Sequence, residues 1–200
     1  LAPPLPAGPF RFIALDVETS CSDPASICQI GIACVDARGG MECWATYVNP
    51  ERRFDAFNTK LHGIGPETVK DAPAFPEVWP GLHRLLNPHL LVQHSNFDKS
   101  AIAAACRAYD LPPPELSWSD SVRIARQAWP EFKGAGGHGL AHLKTALGLD
   151  FSHHDAGEDA RAAAEVVLHA EARLGVRFEQ LARTAEKSQL SLLVPAPRRD

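Results

Sequence analysis

Two rhythms of hydrophobic and polar positions divide the chain. Its first quarter carries strand-length runs of β-branched and aromatic residues near 11–17, 28–36 and 41–48, joined by short connections, with Gly39-Gly40 between the second and third. This pattern predicts an antiparallel meander. From residue 66 the apolar positions take the 3.6-residue period of helices near 66–71, 76–86, 97–110, 120–128, 139–148, 155–174 and 176–187. Two further apolar runs, near 89–92 and 116–119, interrupt them as strands. Strands separated by helices imply parallel crossovers, so the expectation is an α/β domain with a five-stranded mixed sheet and helices on both faces. No internal repeat is visible, and the alanine-rich stretches Ala101–Ala105 and Ala160–Ala164 read as helix faces.

Acidic residues stand at three places in this pattern. Asp16 and Glu18 end the first strand; side chains alternate across a strand, so both carboxylates share one face while Leu15 and Val17 take the other. Neighbouring carboxylates repel unless a cation lies between them. Asp98 follows Leu90-Leu91-Val92 and the loop Gln93-His94-Ser95-Asn96-Phe97, in the first turn of a helix, where a cap or the helix dipole would also explain it. The third place is His154-Asp155-Ala156-Gly157-Glu158-Asp159-Ala160. Asp155 and Glu158 have capping-box spacing, which makes Asp155 the N-cap, His154 the residue before it and Asp159 the fourth helical residue. On a continuous helix His154 and Asp159 would lie about 140° apart, so their meeting requires the helix to begin after His154.

With these motifs the chain resembles the DnaQ-like DEDDh 3′-to-5′ exonucleases, the group of the epsilon proofreading subunit of bacterial DNA polymerase III. The resemblance covers roughly residues 10 to 183. It extends to Leu61-His62-Gly63-Ile64, to Pro66-Glu67-Thr68-Val69-Lys70-Asp71-Ala72-Pro73 and to Asp120-Ser121-Val122-Arg123-Ile124-Ala125-Arg126. The second acidic motif departs from the commonest form: His94-Ser95-Asn96-Phe97-Asp98 is one residue shorter, with Ser95 where asparagine is usual. Histidine is doubled at 153 and 154, and the family spacing selects His154, leaving His153 as a loop residue. The resemblance implies a ribonuclease H-like fold and two divalent cations, Mg2+ or Mn2+, held by Asp16, Glu18, Asp98 and Asp159, with Asp16 bridging. It implies His154 as the base that takes a proton from the attacking water, releasing a nucleoside 5′-monophosphate. Thr19, Phe97 and the loop carrying His62 and Ile64 become candidates for the terminal nucleotide. Core packing is the alternative for Phe97 and the loop.

Composition fits one catalytic domain. With 200 residues and 45% apolar content, the chain can bury a full core, and no apolar run would span a membrane. The Pro-rich residues 1–9 have no basic region of a signal peptide and read as a linker or a cut edge, followed by a catalytic domain over 10–187 and a tail over 188–200. Five cysteines, an odd number without Cys-x-x-Cys spacing, favour a reducing cytoplasm over disulfides or structural zinc. Cys28, Cys34 and Cys43 fall in strand-like segments. The net charge of −4 equals the charge of the four candidate ligands, which two divalent cations would cancel. Such a chain is expected to engage a short single-stranded end rather than hold long duplex DNA, and to depend on a partner for retention.

Other residues have plainer readings. His138 and His142 have the spacing of a zinc pair without a third ligand and read as surface residues; Trp44, Trp79, Trp118 and Trp129 read as core; Asp120 reads as a helix cap. Lys99, Arg107, Arg123 and Arg126 are candidates to line the strand's route, or solvated helix faces. In the tail, Gln189-Leu190-Ser191-Leu192-Leu193 is similar to the bacterial sliding-clamp motif, with Leu193 replacing the final aromatic; an apolar helix end docking back on the domain is the alternative. The chain therefore reads as an exonuclease acting on DNA 3′ ends in proofreading or repair, with a sliding clamp and a DNA polymerase as possible partners. RNA 3′-end trimming is the alternative substrate reading. A catalytically silent interaction module is the alternative from another class, disfavoured because all five catalytic residue types are present at the right spacing.

Overall fold

The computed structural model describes residues 2–183. Five strands, β1 (Phe12–Thr19), β2 (Ile27–Val35), β3 (Met41–Tyr47), β4 (Leu90–Gln93) and β5 (Ser117–Asp120), form one sheet in the order β3-β2-β1-β4-β5. The first three are antiparallel and β4 and β5 join parallel, so the sheet is mixed as the pattern predicts. The helices are α1 (Ala56–His62), α2 (Pro66–Val69), α3 (Phe75–Leu86), α4 (Phe97–Ala108), α5 (Ser121–Ala128), α6 (Leu140–Leu147) and α7 (Ala156–Leu174).

Alternation along β1 divides the core in two. Ile13, Leu15 and Val17 pack with Ile30 and Ile32 of β2 against α3 and α4. Phe12 and Ala14 face α5, α6 and α7 on the other side, where Asp16 and Glu18 continue the same face. Helices thus cover both faces, and the sheet's central strand ends in two acids.

Three expectations change. Helix α1 has no buried residue, hence no apolar stripe for periodicity to detect; its sign in the sequence is Gly63, whose φ of 76° closes the helix in the left-handed conformation that favours glycine. The N-terminal residues are docked rather than a free linker: Ala2 and Leu5 pack against the α3/α4 side of the core, and the Trp44 indole N–H donates to the Pro3 carbonyl at 3.0 Å. Of the helix expected over 176–187, residues 178–183 are helical, anchored by Phe178 against Phe12 with ring centroids 4.8 Å apart. Nearby, Arg11 pairs with Glu171 and Glu179. Residues 176 and 177 are not helical, and positions 184–187 and the Gln189–Leu193 motif lie outside the described residues.

Candidate active site

The acids of β1 meet α7 because of the strand beside them. In the β1–β2 ladder Asp16 lies opposite Gly31 and Glu18 opposite Gln29. A Cβ on Gly31 would stand 2.2 Å from the carbonyl carbon and oxygen of Ala156, so only glycine lets the first turn of α7 press this close to the sheet. Gln29 then fixes the helix end with two hydrogen bonds. Its Nε2 donates to Asp155 Oδ2 at 3.0 Å, and its Oε1 accepts from the Ala156 N–H at 3.1 Å. Asp155 caps the helix by accepting from the Glu158 N–H, which makes Asp159 the fourth helical residue, as the spacing predicts. The reciprocal half of the capping box is replaced: the Glu158 carboxylate pairs with Arg161 at 2.7 Å. One carboxylate oxygen each from Asp16, Glu18 and Asp159 lies within 4.8 Å of the others.

Asp98 arrives from the other side of the strand's end. It is 2% exposed, and its Oδ1 accepts from the Val17 N–H at 3.0 Å, which ties α4 to the backbone between Asp16 and Glu18. The shortened loop before it turns at Ser95, which has a φ of 96°. There the Ser95 N–H donates to Asp120 Oδ1 at 3.2 Å, while the same oxygen caps α5 through the Val122 N–H at 2.8 Å. Behind the loop Ser121 Oγ donates to the Gln93 carbonyl at 3.1 Å and is 2.8 Å from His94 Nδ1, and Gln93 Oε1 accepts from the Lys99 N–H. Burial pushes His94 down to about 4, so the ring supports the loop as a neutral imidazole.

These carboxylates are poorly hydrated and crowd one another. Burial, then the charges of Asp98, Asp159 and Glu18, hold Asp16 well above the usual carboxylate range. Burial, then Asp159 and Asp98, raise Glu18 to about 8. Burial raises Asp98 to about 7 despite the hydrogen bond from Val17. Oxygen donors this concentrated, and this reluctant to ionise together, fit hard divalent cations, whose positive charge would hold them deprotonated.

The doubled histidine differs from the sequence reading. His153 is not a bystander in the loop: its Nδ1 lies 2.8 Å from Asp159 Oδ1. His154 reaches the same carboxylate through its backbone, the N–H donating to Oδ2 at 2.9 Å. His154 has a φ of 69°, and this left-handed turn brings the two consecutive rings onto one side, stacked with centroids 4.0 Å apart. Burial first, then the neighbouring His153, lowers the His154 pKa and favours the neutral ring.

The loop after α1 folds over the end of β1. The Ile64 N–H donates to His62 Nδ1 at 3.0 Å, so Nε2 carries the ring proton and donates to the Thr19 carbonyl at 3.0 Å. Asn58 Nδ2 donates to the same oxygen at 2.9 Å. Both His62 nitrogens are therefore engaged with backbone, and only the ring's face remains for a ligand. Ile64, 3% exposed, packs with Cys28 and Val69, so its side chain fills a small core rather than lining the site. Thr19 is 7% exposed, whereas Phe97 is 45% exposed and free of the core.

His138 and His142 are half-buried rather than surface residues, and they go to separate partners. His138 Nε2 lies 2.8 Å from the Trp129 carbonyl, and the His142 ring stands edge-on to Phe132 with centroids 5.0 Å apart. Trp44, Trp79 and Trp129 are core, Trp118 packs at its margin, and Asp120 is the expected cap. Lys99, Arg107 and Arg126 are exposed and Arg123 half-buried. Sequence reasoning missed Gly31, Gln29 and Asn58; a glycine within an otherwise apolar strand was the readable sign of a close approach.

Comparisons with known proteins identify the family and the fold. The sequence profile of the RNase T exonuclease family matches residues 13–167. The PolC-type DNA polymerase III of Caldanaerobacter subterraneus subsp. tengcongensis is 31% identical over 161 residues, 79% of this chain and 11% of that protein. The 3′-5′ exonuclease DinG of Bacillus subtilis is 28% identical over 160 residues, 78% of this chain and 16% of its own length. The chain thus spans a small part of the length of these relatives. Among solved structures, Exonuclease X in complex with 5′ overhanging duplex DNA superposes with a TM-score of 0.68 at 22% identity, covering 87% of this chain and 99% of that one. E. coli Exonuclease I in complex with a dA16 oligonucleotide gives 0.73 at 19% identity, covering 93% and 46%. The nuclease domain of 3′hExo bound to rAMP, a DEDDh family member, gives 0.65 at 18%, covering 79% and 90%. The fold is ribonuclease H-like, and the chain belongs to the RNase T exonuclease family.

Proposed function

We propose that this chain is a metal-dependent 3′-to-5′ exonuclease that releases nucleoside 5′-monophosphates from single-stranded or frayed DNA 3′ ends, in proofreading or repair in the cytoplasm. The observation that carries the reading is the meeting of Asp16, Glu18 and Asp159 within 4.8 Å at the end of β1, with Asp98 bonded to the backbone between the first two. Two divalent cations, Mg2+ or Mn2+, when bound there would neutralise charge developing on the scissile phosphate and make water a better nucleophile. Asp16, Glu18, Asp98 and Asp159 would hold them. His154, neutral because its pKa is lowered, would take the proton of the attacking water. Phe97 offers an exposed ring at the start of α4 for a terminal base, and Thr19 and the His62 loop bonded to it are the other candidates to meet the terminal nucleotide.

DNA is favoured because the relatives include a PolC-type DNA polymerase III and the exonuclease DinG. The neighbour bound to rAMP keeps RNA ends in view as the second substrate. Association with a DNA polymerase, and with a sliding clamp through Gln189, Leu190, Ser191, Leu192 and Leu193, belongs to the same proposal. The test is release of mononucleotides from matched DNA and RNA oligonucleotides, paired or mismatched at the 3′ end, with Mg2+, with Mn2+ and with excess chelator. Faster release from RNA would replace the DNA assignment, and release unaffected by chelator would end the metal-dependent one.

A further inference from the structure

We propose that His153, His154 and Asp159 form a second cation site, selective for a borderline transition ion such as Zn2+, overlapping the acidic centre through Asp159. The three side chains offer two imidazole nitrogens and one carboxylate oxygen within 4.8 Å of one another. Consecutive side chains on an extended backbone diverge, but the left-handed φ of 69° at His154 turns both rings to the same side and stacks them at 4.0 Å. His153 Nδ1 lies 2.8 Å from Asp159 Oδ1 in a hydrogen bond, so the two atoms are already neighbours, and a bound ion would displace the proton between them to solvent.

The donor chemistry separates this locus from its neighbour. Asp16, Glu18 and Asp159 are an all-oxygen set, suited to Mg2+ or Mn2+. Imidazole nitrogen favours Zn2+ over both, and zinc commonly takes three protein ligands with a fourth position open to water. Asp159 is 4% exposed, held by the first turn of α7, and belongs to both sets, so a cation on the histidine side draws a carboxylate away from the acidic side. It also occupies the imidazole of His154. The binding claim stands without the nuclease reading; its consequence, that Zn2+ inhibits by removing a ligand and the base together, rests on that reading.

Zinc chloride titrated into a Cys43→Ser protein, which removes the exposed thiol among the described residues, tests the proposal by calorimetry with histidine side-chain NMR. The expected result is one Zn2+ per chain, joint shifts of the His153 and His154 rings, and an affinity at least about tenfold weaker, about 1.4 kcal/mol, in His153→Ala and in His154→Ala alike. His153 is exposed, so its removal leaves the fold available for measurement, and a melting curve checks this. Unchanged Zn2+ affinity in His153→Ala overturns the site, because the ion then sits on the carboxylates alone. Zinc binding that follows His153 in a chain that releases no nucleotide with Mg2+ would end the nuclease reading and leave this one standing. Full nucleotide release at saturating Zn2+ would overturn the sharing of Asp159.

Discussion

Gly31 lies directly across the β1–β2 ladder from Asp16, and the space where its side chain would be is filled by the Ala156 carbonyl at the start of α7. The distance between the acids of the strand and the acid of the helix is therefore set by a residue that has no chemistry of its own. Gly31→Ala puts a methyl 2.2 Å from that carbonyl, backbone that can yield only if the helix moves. The variant is expected to be less stable by about 1–3 kcal/mol, the range for overpacking a tight site. Nucleotide release should fall further than stability alone explains, because Asp159 moves with α7. Denaturant unfolding beside a nuclease assay checks this; wild-type values in both would show that the close approach does not matter.

The pH dependence of stability follows from the acids. Glu18 is raised from 4.5 to about 8, so the folded chain binds a proton at this site more tightly than the unfolded chain. Its contribution to stability is greatest below the unfolded value and is lost as pH rises from about 4.5 to about 8. Asp98, raised to about 7, acts in the same direction, and Asp16 does so as well. Without divalent cation the melting temperature should fall across that window, and saturating Mg2+ or Mn2+ should flatten the decline by favouring the ionised carboxylates. Asp16→Ala should remove metal-dependent release yet leave the metal-free fold as stable as wild type or more so. A metal-free stability that rises from pH 5 to pH 8 would contradict the assigned repulsion.

The adjacent histidines should separate in kinetics. His154→Ala is expected to lower turnover by roughly a hundredfold or more, the size of a general-base contribution. His153 meets Asp159, the His154 ring and, edge-on, the Phe151 ring, so His153→Ala should cost about tenfold, the low end of the range for a group that orients a metal ligand. Steady-state release with saturating Mg2+ measures both. The reverse ranking would assign the proton transfer to His153 and require the loop before α7 to be reread.

Much of this site was legible because its signals are local. Alternation placed Asp16 and Glu18 on one face, and the Asp155–Glu158 spacing set the start of α7 and hence the position of Asp159. Helix α1 was missed because it buries nothing, so its sequence has no periodic stripe. The contacts of Gln29 with Asp155 and of Asp98 with Val17 join residues far apart in the chain, and no local pattern announces them. His153 was passed over because spacing counts residues but does not show the positive φ that turns two neighbouring rings the same way.

Asp120 is the last point at which geometry and chemistry can be separated. One of its oxygens accepts from Val122, capping α5, and from Ser95, holding the loop at its φ of 96°. Non-glycine residues avoid that conformation, so the loop before Asp98 depends on partners such as this one. Asp120→Ala removes both hydrogen bonds and should destabilise the protein by about 1–2 kcal/mol, the usual cost of a lost cap. Ser95→Gly in the same background relieves the backbone and should recover part of that loss, because glycine adopts positive φ freely. Since Asp120 is outside the cluster that would hold cations, its loss is expected to raise the Mg2+ concentration needed for half-maximal release, through a looser Asp98, more than it lowers the rate at saturation. Metal titrations of the single and double variants decide the matter: a lowered saturating rate with an unchanged Mg2+ requirement would place Asp120 in the chemistry rather than behind it.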